Sequence, residues 1–258
     1  MPATGDFGRI AELYGRVRPG YLPEVLDDLI ALSSLPVGGR ILEIGPATGQ
    51  ATLPLTRRGY RITAVEPDAR LAAEARRLLE PGHGVEFQVT TFEDWPLPDE
   101  PFDLVLAATS FHWIDPAVRY VKSAAALKPG GALAVINTHH VAGGTTSFFE
   151  AVQSCYARFL PSNPPARALR SANTIPPDTA ALIQSGLYQE PDVRRYEWQA
   201  AYTAGEYTDL LSTYSDHIAL DEETRDALFA GISSLIESEF GGEIYKQYLT
   251  ELIVASRS

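Results

Sequence analysis

The chain lacks several features that would direct its interpretation elsewhere. It has one cysteine, Cys155, in 258 residues, so no internal disulfide can form. Cysteine and histidine do not cluster at zinc-ligand spacing, so we expect no metal site. The sequence has no apolar run of about 18 residues, and charges interrupt the N-terminal segment where a signal peptide needs apolar residues. We therefore expect a cytoplasmic protein with no membrane association.

Basic residues are also scarce. The chain carries 21 Lys and Arg against 33 Asp and Glu, a formal net charge of −12. Nucleic-acid binding requires cations gathered against phosphates, so we expect no nucleic-acid partner. A composition of 45% hydrophobic and 21% charged residues is ordinary for a globular protein, and the length suits one elaborated α/β domain. We expect a monomer or homodimer.

Apolar residues in the first half of the chain alternate between strand-length and helix-length patterns. The predicted strands are residues 40–44, 61–65, 85–89, 102–108 and 132–137, and the predicted helices are residues 22–35, 50–58, 69–79 and 116–127. Strands that alternate with helices are typical of a doubly wound, parallel α/β sheet.

This rhythm breaks after Asn137. The second half predicts helices at residues 147–159, 178–185 and 222–237, and strands at residues 193–201 and 243–254. The two late strands would complete a Rossmann-like, mostly parallel, seven-stranded sheet. We divide the chain into an N-terminal helical lid (1–36), a cofactor-binding core (37–140), a helical cap inserted after the fifth strand (141–190) and a C-terminal segment that completes the sheet (191–258).

The strongest motif is a strand that runs directly into a glycine-rich turn. In Ile41-Leu-Glu-Ile-Gly-Pro-Ala-Thr-Gly49, the two glycines allow a tight turn and a close approach of the backbone to a ligand. Alone, such a turn is also a common structural connection. Glu66, 17 residues after Gly49, stands at the end of the second strand, where an acidic side chain can accept both hydroxyls of a ribose.

Four motifs together resemble a class I S-adenosylmethionine-dependent methyltransferase. They are residues 43–49, 65–68, 102–105 and 127–131. The resemblance implies S-adenosylmethionine as cofactor and direct in-line methyl transfer to oxygen, carbon or nitrogen of a small molecule. Ala47 departs from the family's commonest pattern, because a third glycine often stands at that position.

The resemblance also implies the cofactor contacts. Glu43 would orient the turn and approach the methionine end, and Glu66 would hold the ribose. Phe92 would pack on the adenine face while Glu93 accepts from its amine, and we place this role ahead of the alternative that Phe92 is a core aromatic. The full set of implied cofactor residues in the core is Glu43, Gly45, Ala47, Gly49, Glu66, Pro67, Phe92, Glu93 and Ala108.

The segment after the fourth strand resembles a subgroup that includes trans-aconitate-type methyltransferases. There Phe111 and Trp113 would line the acceptor site. His112 is the candidate general base, because imidazole titrates near neutral pH and methyl transfer to a hydroxyl benefits from proton removal. A histidine between two aromatic residues is equally expected as a packed wall residue.

An N-terminal segment, residues 14–21, matches one that folds over the cofactor in this subgroup. The resemblance makes Tyr14 and Arg18 lid residues. Arg18 would pair with the methionine carboxylate through its planar guanidinium, or would fasten the N-terminal helix to the core.

Three further positions are candidates for acceptor contact. His139 and His140 follow the fifth strand, at the edge where ligands bind in such sheets, although at least one of them is expected in a surface loop. Tyr214, in a polar and aromatic segment with His217, would reach the acceptor or would be a half-buried core aromatic.

Two other functions share these features. A nicotinamide-dependent oxidoreductase also has the strand, turn, helix and acidic residue, but its fingerprint is Gly-x-Gly-x-x-Gly, whereas Gly45 and Gly49 are separated by three residues. A non-catalytic S-adenosylmethionine-binding protein would retain the same turn and ribose residue. Cofactor titration distinguishes the oxidoreductase from a methyltransferase, and a turnover assay distinguishes the non-catalytic binding protein from an enzyme.

Overall fold

The computed structural model describes residues 10–79, 84–160 and 168–258. Its strands are β1 (Arg40–Ile44), β2 (Arg61–Val65), β3 (Val85–Gln88), β4 (Phe102–Ala108), β5 (Leu127–His140), β6 (Asp192–Thr203) and β7 (Glu243–Ser256). Its α-helices are α1 (Ala11–Val17), α2 (Pro23–Leu32), α3 (Thr52–Arg57), α4 (Ala69–Leu78), α5 (Pro116–Ala126), α6 (Thr146–Ala151), α7 (Gln153–Phe159), α8 (Ala180–Ser185), α9 (Ala204–Leu211), α10 (Ser215–Ile218) and α11 (Glu222–Glu239).

All seven strands belong to one sheet with the order β3-β2-β1-β4-β5-β7-β6. The pairs β1–β2, β2–β3, β1–β4 and β4–β5 are parallel. The predicted Rossmann-like α/β fold with a seven-stranded sheet is therefore confirmed. Because β1, β2, β4 and β5 run in the same direction, their carboxyl ends meet at one edge of the sheet, where ligands of such folds bind.

The chain forms two compact units. The sheet unit contains the described residues of 19–138, 177–196 and 250–258. The aromatic unit contains the described residues of 10–18, 139–176 and 197–249. The division of the sequence into lid, core, cap and C-terminal segment stays a prediction.

The core of the sheet unit follows from the alternation of side chains along its strands. Leu42 and Ile44 of β1 pack into one hydrophobic cluster, while Ile41 packs into another. Successive side chains of a strand point to opposite faces, so these strands are apolar on both faces. The helices α2 and α5 supply apolar residues to these faces, so the strand ends have a rigid support.

The core of the aromatic unit is built from rings. Phe148 packs edge-on against both Tyr207 and Phe240, with ring centroids 5.4 Å apart in each pair. Leu228 and Ile232 of α11 belong to the same buried cluster. Aromatic pairs prefer this tilted geometry because the positive ring edge meets the negative face.

The structure corrects the single helix predicted over residues 147–159. The chain forms α6 and α7 with a break at Val152. The Gln153 side chain donates to the Phe149 carbonyl, and the Ser154 hydroxyl donates to the Ala151 carbonyl. Such side-chain bonds compete with the regular helical ladder, which accounts for the break.

The structure also corrects the fifth strand. The prediction began it at Ala132, but β5 begins at Leu127, the residue that the prediction made the last of a helix. The pairing to β4 shifts register between Leu127 and Ala132, and Gly130 has a φ of +75°, as expected of a bulge. At its other end β5 extends through His139 and His140, so both lie in the strand rather than after it. The other predicted elements agree within three residues at each end.

Candidate functional site

The turn after β1 requires glycine at its first position. Gly45 has a φ of +66°, and its N–H donates to the Val65 carbonyl at 2.9 Å. A Cβ atom there would lie 2.7 Å from the Ser110 Cβ. Both the backbone conformation and the lack of space exclude any residue with a Cβ atom at position 45. Gly45 therefore fixes the path of the turn.

Ala47 adopts a left-handed conformation, with a φ of 51°. This explains why a glycine often stands at the corresponding family position, because left-handed backbone is costly for a residue with a Cβ. The Ala47 N–H donates to Glu66 Oε2 at 3.0 Å. That bond stabilises the strained residue and ties the turn after β1 to the end of β2.

Glu66 directly follows β2 and is only 4% exposed. One carboxylate oxygen accepts from the Ala47 N–H and the other from the Asp68 N–H, each at 3.0 Å. Burial raises the pKa of Glu66, and the two backbone bonds oppose that rise. Each oxygen retains a lone pair, so the carboxylate can still accept from hydroxyl donors. Pro67, the next residue, is exposed.

Glu43 lies within β1 and is fully buried. Its Oε2 accepts from the Thr52 hydroxyl of α3 at 2.7 Å. Burial raises the pKa of Glu43 to about 7, the Thr52 bond opposes the rise, and the charge of Glu66 adds to it. A carboxyl group with this pKa binds or releases a proton near neutral pH, and a nearby cation would favour its charged form.

Phe92 and Glu93 have protein partners. Phe92 is buried in the core, and the Lys122 Nζ lies 5.4 Å from its ring centroid. Glu93 Oε1 accepts from the Asp115 N–H at 2.9 Å. Phe92 thus has the environment of a core aromatic, and the adenine contacts of both residues stay predictions.

The end of β4 is locked to the turn after β1. Ala108 is the last residue of β4, and the next residue, Thr109, has a left-handed φ of 59°. The Ser110 hydroxyl donates to the Ile44 carbonyl. The Tyr21 hydroxyl lies 3.0 Å from Thr109 Oγ1. These contacts bring the ends of β1 and β4 together.

The predicted segment 111–113 forms one turn of 3₁₀-helix. Phe111 is buried with its ring 5.2 Å from that of Tyr120, whereas Trp113 is 45% exposed. His112 is exposed, and its ring centroid lies 5.0 Å from that of Trp113. Partial loss of water around the ring, and then the charge of Arg119, lower the pKa of His112. The imidazole is therefore neutral and able to accept a proton at neutral pH.

A small cavity opens beside this segment, within the sheet unit. Its polar lining is His112, Arg119, Tyr120, Asn137 and Asp178. The Arg119 guanidinium lies 5.4 Å from the Phe111 ring and 5.0 Å from the Tyr120 ring. Among the described residues, no acceptor reaches its buried Nε.

Four of these lining residues escaped the sequence analysis: Arg119, Tyr120, Asn137 and Asp178. Asn137 gave a usable signal, because it is a polar residue that follows the apolar stretch 132–136 at the carboxyl edge of the sheet. Arg119 lies one turn after Asp115, whose carboxylate caps α5, and nothing in the sequence marked it.

Tyr14 and Arg18 meet in the aromatic unit. The Arg18 guanidinium donates to the Thr213 carbonyl at 2.6 Å and lies over the rings of Tyr14 and Tyr214, 4.9 and 4.5 Å from their centroids. Arg18 therefore holds the end of α1 against the segment after α9. Contact of either residue with the cofactor stays a prediction.

Tyr214 and the two predicted histidines of β5 are half-buried in the aromatic unit. Tyr214 accepts a hydrogen bond from the Lys246 Nζ at 2.8 Å. His140 packs edge-on against Phe149, and burial together with Lys246 lowers the pKa of His140 to about 3. Because it is neutral at physiological pH, His140 cannot supply a positive charge to an acceptor.

In residues 10–79, 84–160 and 168–258, no three acidic, histidine or cysteine side chains gather where they would hold a metal ion. Over the same ranges, every helix is too short or too polar to cross a bilayer.

Residues 42–135 match a family model described as a methyltransferase domain. The matched range lies entirely within the sheet unit and contains Glu43, the glycine turn, Glu66 and His112.

Curated relatives carry related names. The chain is 35% identical over 131 residues to the uncharacterized methyltransferase Rv3342 of Mycobacterium tuberculosis, a match that covers 51% of each chain. It is 38% identical over 100 residues to the ubiquinone biosynthesis O-methyltransferase of a Bradyrhizobium species, with 38% of this chain and 39% of that protein covered. The chain thus spans about half the length, or less, of these curated relatives.

A solved structure has a related fold. Phosphoethanolamine N-methyltransferase 2 of Haemonchus contortus, in complex with S-adenosyl-L-methionine, superposes with a TM-score of 0.55 at 18% identity, covering 99% of this chain and 58% of that one. At this identity the likeness shows the fold alone. Residues 42–135 are thus similar to a methyltransferase domain, and the comparisons support S-adenosylmethionine as the cofactor.

Proposed function

We propose that the protein is an S-adenosylmethionine-dependent methyltransferase that transfers a methyl group to a small-molecule acceptor by direct in-line displacement. We further propose, from the segment 111–113, that it belongs with the trans-aconitate-type subgroup. The methyltransferase domain at residues 42–135 is the premise of both statements.

The observation that best supports this function is the bond between Glu66 and Ala47. It joins the end of β2 to the turn after β1, at the sheet edge where class I enzymes hold their cofactor. A buried carboxylate with free lone pairs suits the two hydroxyl donors of a ribose. The donor and acceptor chemistry of the turn therefore fits an adenosine ligand.

Glu43 fits the other end of the same cofactor. It is a buried carboxyl with a pKa of about 7, held near the turn by Thr52. The cofactor carries positive charge on its sulfonium and amino groups, and such charge favours the ionised carboxylate. We assign Glu43 to binding and orienting this end.

The bound cofactor supplies an activated methyl group, and the chain supplies position and proton transfer. Holding acceptor and donor in line accounts for much of the rate enhancement expected of such enzymes. His112, neutral at physiological pH, accepts the proton that an acceptor hydroxyl or amine releases. Phe111 forms an apolar wall beside it and excludes water.

The cavity beside His112 is the proposed acceptor pocket. It combines an aromatic wall with Asn137 and the Tyr120 hydroxyl as orienting groups. Pockets of this kind use a few polar groups to fix the orientation of a largely apolar ligand.

Calorimetric titration tests the cofactor assignment. We expect the purified protein to bind S-adenosylmethionine and S-adenosylhomocysteine and to show no heat of binding with NADH. Binding of NADH alone would favour an oxidoreductase, and binding of none of the three would contradict the proposal. Binding without turnover of any acceptor would favour a non-catalytic binding protein.

A variant of Glu66 tests the site itself. Glu66→Ala removes the ribose acceptor and leaves the Ala47 N–H unpaired, so cofactor binding should weaken by about 1–3 kcal/mol. Glu86→Ala is the matched control, because Glu86 is exposed on the neighbouring β3. Equal cofactor affinity of the two variants would remove Glu66 from the site.

A further inference from the structure

Lys246 is a buried cation in the aromatic unit. It lies in β7 between Ile244 and Tyr248, so all three side chains share the buried face of the strand. Lys246 is only 3% exposed. Burial of an ammonium group is costly unless an opposite charge or several acceptors compensate for it.

The partners of Lys246 do not provide that compensation. Its Nζ donates to the Tyr214 hydroxyl at 2.8 Å and lies 5.1 Å from the ring centroids of both Tyr214 and Tyr248. An ammonium has three N–H donors, and only this one acceptor is found for it in the described part of the chain. Over those residues it forms no ion pair with a carboxylate.

Two further polar groups surround the same rings. Arg18 lies on the Tyr214 ring, 4.5 Å from its centroid, and its buried Nε lacks an acceptor among the described residues. His140 lies 6.4 Å from Tyr248, ring centroid to ring centroid, and its buried Nε2 likewise has no partner there. Lys246 and Arg18 thus place two positive charges around one phenol ring.

Acids of the same unit are engaged elsewhere. Asp209 pairs with the exposed Arg16 at 3.2 Å, and Glu206 caps α9 through Thr203. Asp216 is exposed, and its carboxylate accepts from the Ser215 hydroxyl. In a chain of net charge −12, carboxylates are plentiful, yet none of these three pairs with Lys246 or Arg18.

We propose that Lys246, Arg18 and Tyr214 form an anion-binding site for a carboxylate or phosphate group of a small-molecule ligand other than the cofactor. The ligand supplies the negative charge and the hydrogen-bond acceptors that the described residues do not provide to Lys246 and Arg18. Charge-assisted bonds to such a group satisfy the free ammonium N–H donors and the Arg18 Nε. The surrounding rings suit a ligand whose remaining part is apolar or planar.

Anion titration tests this site without reference to methyl transfer. Thermal unfolding of the full chain is measured with citrate, phosphate or glycerol as probes, at constant ionic strength maintained with sodium chloride. We expect citrate or phosphate to raise the unfolding temperature in a saturable way, because a ligand that binds only the folded state stabilises it. Glycerol controls for a general solute effect. No saturable rise with either anion overturns the proposal.

Two variants locate the response. Lys246→Met keeps the length and apolar stem of the side chain and should raise the half-saturating anion concentration at least about tenfold. Arg16→Met, which removes the exposed cation that pairs with Asp209, should leave it unchanged. If Lys246→Met does not fold, Lys246→Arg, which keeps the charge, serves in its place and should retain the response. An equal response of Lys246→Met and wild type overturns the site.

A final titration identifies the source of the anion. The same measurement is repeated with S-adenosylhomocysteine at saturation. A response that persists supports a separate anionic ligand. A response that disappears means that the carboxylate of the cofactor occupies the site, which overturns the proposal while leaving the proposed function intact.

Discussion

The sheet unit and the aromatic unit bury opposite charges. Three acids of the sheet unit are buried, Glu43, Glu66 and Glu251, and the first two lie beside a strained glycine turn. The aromatic unit buries Lys246 among tyrosine rings. The family match lies wholly within the sheet unit. Two of the buried acids therefore lie in the part of the chain that matches the methyltransferase-domain model, and the buried cation lies outside it.

The largest effect that we expect from this comparison is on the pH dependence of the free energy of unfolding, to which Glu43 contributes. Its pKa rises from 4.5 to about 7 on folding. Its contribution to the free energy of unfolding is therefore fully present below pH 4.5 and is lost as the pH rises through 7. The loss corresponds to about 3 kcal/mol. Glu43→Gln should remove this part of the pH dependence and gain stability relative to wild type at pH 8.

Urea unfolding between pH 5 and pH 8 measures the effect. The exposed Glu86 provides the matched control, since Glu86→Gln should follow the wild-type curve. If the free energy of unfolding changes with pH in the same way for Glu43→Gln and wild type, Glu43 is ionised in the folded protein. The sheet unit would then not hold Glu43 as a neutral buried acid.

The next test concerns which histidine reacts. His112→Gln should lower turnover roughly 100-fold while cofactor affinity holds. The acidic limb of the kcat/KM profile should lie below the usual histidine pKa, because the pKa of His112 is lowered, and the variant should lose this limb.

A variant of His140 provides the comparison for His112→Gln. The pKa of His140, about 3, lies below the working range, so His140→Gln should retain the limb whatever its absolute activity. Full activity of His112→Gln would make His112 a wall residue, and loss of the limb in His140→Gln would move the proton acceptor to the aromatic unit.

A third test measures how far the aromatic unit depends on polar contacts between its rings. The Tyr156 hydroxyl lies 2.9 Å from the His217 Nε2, and the His217 Nδ1 has no partner among the described residues. Tyr156→Phe leaves both ring nitrogens unpaired and should cost about 1–2 kcal/mol of unfolding free energy. Tyr245→Phe, at an exposed tyrosine of the same unit, should change it little. Equal effects would assign the stability to ring packing alone.

The smallest expected effect is a gain in the sheet unit. Ala47→Gly relieves a left-handed alanine but adds chain entropy to the unfolded state, so we expect a net gain below about 1 kcal/mol. Ala73→Gly, at an exposed position of α4, should instead lose about 1 kcal/mol. A loss of the same size at both positions would mean that the turn is not strained at Ala47.

The sequence was most informative where periodicity and turn chemistry agree. The seven strands were predicted, and β1, β4 and β5 were indicated by the short apolar runs that a parallel sheet covered on both faces demands. The bulge at residues 127–131 was missed, because Pro129 and two glycines in sequence indicate a turn equally well. The break at Val152 depends on the bonds of Gln153 and Ser154, which hydrophobic spacing does not reveal.

The candidate site divides in the same way. The turn and Glu66 were predicted from spacing, but their mutual bond was not, since a backbone donor leaves no trace in the residue type. Lys246 did leave one: alternation along β7 places it between Ile244 and Tyr248 on the buried face. The exact partners of Arg119 and Arg18 depend on tertiary packing, which no local pattern encodes.

The contact between Gly45 and Ser110 has an evolutionary consequence. The Cβ of a residue at position 45 would overlap Ser110, whose hydroxyl in turn binds the Ile44 carbonyl. The residue types at these two positions, 65 residues apart in sequence, therefore constrain each other. Because the left-handed backbone at position 45 also excludes a side chain, we expect homologous chains to keep glycine there and a small residue at position 110.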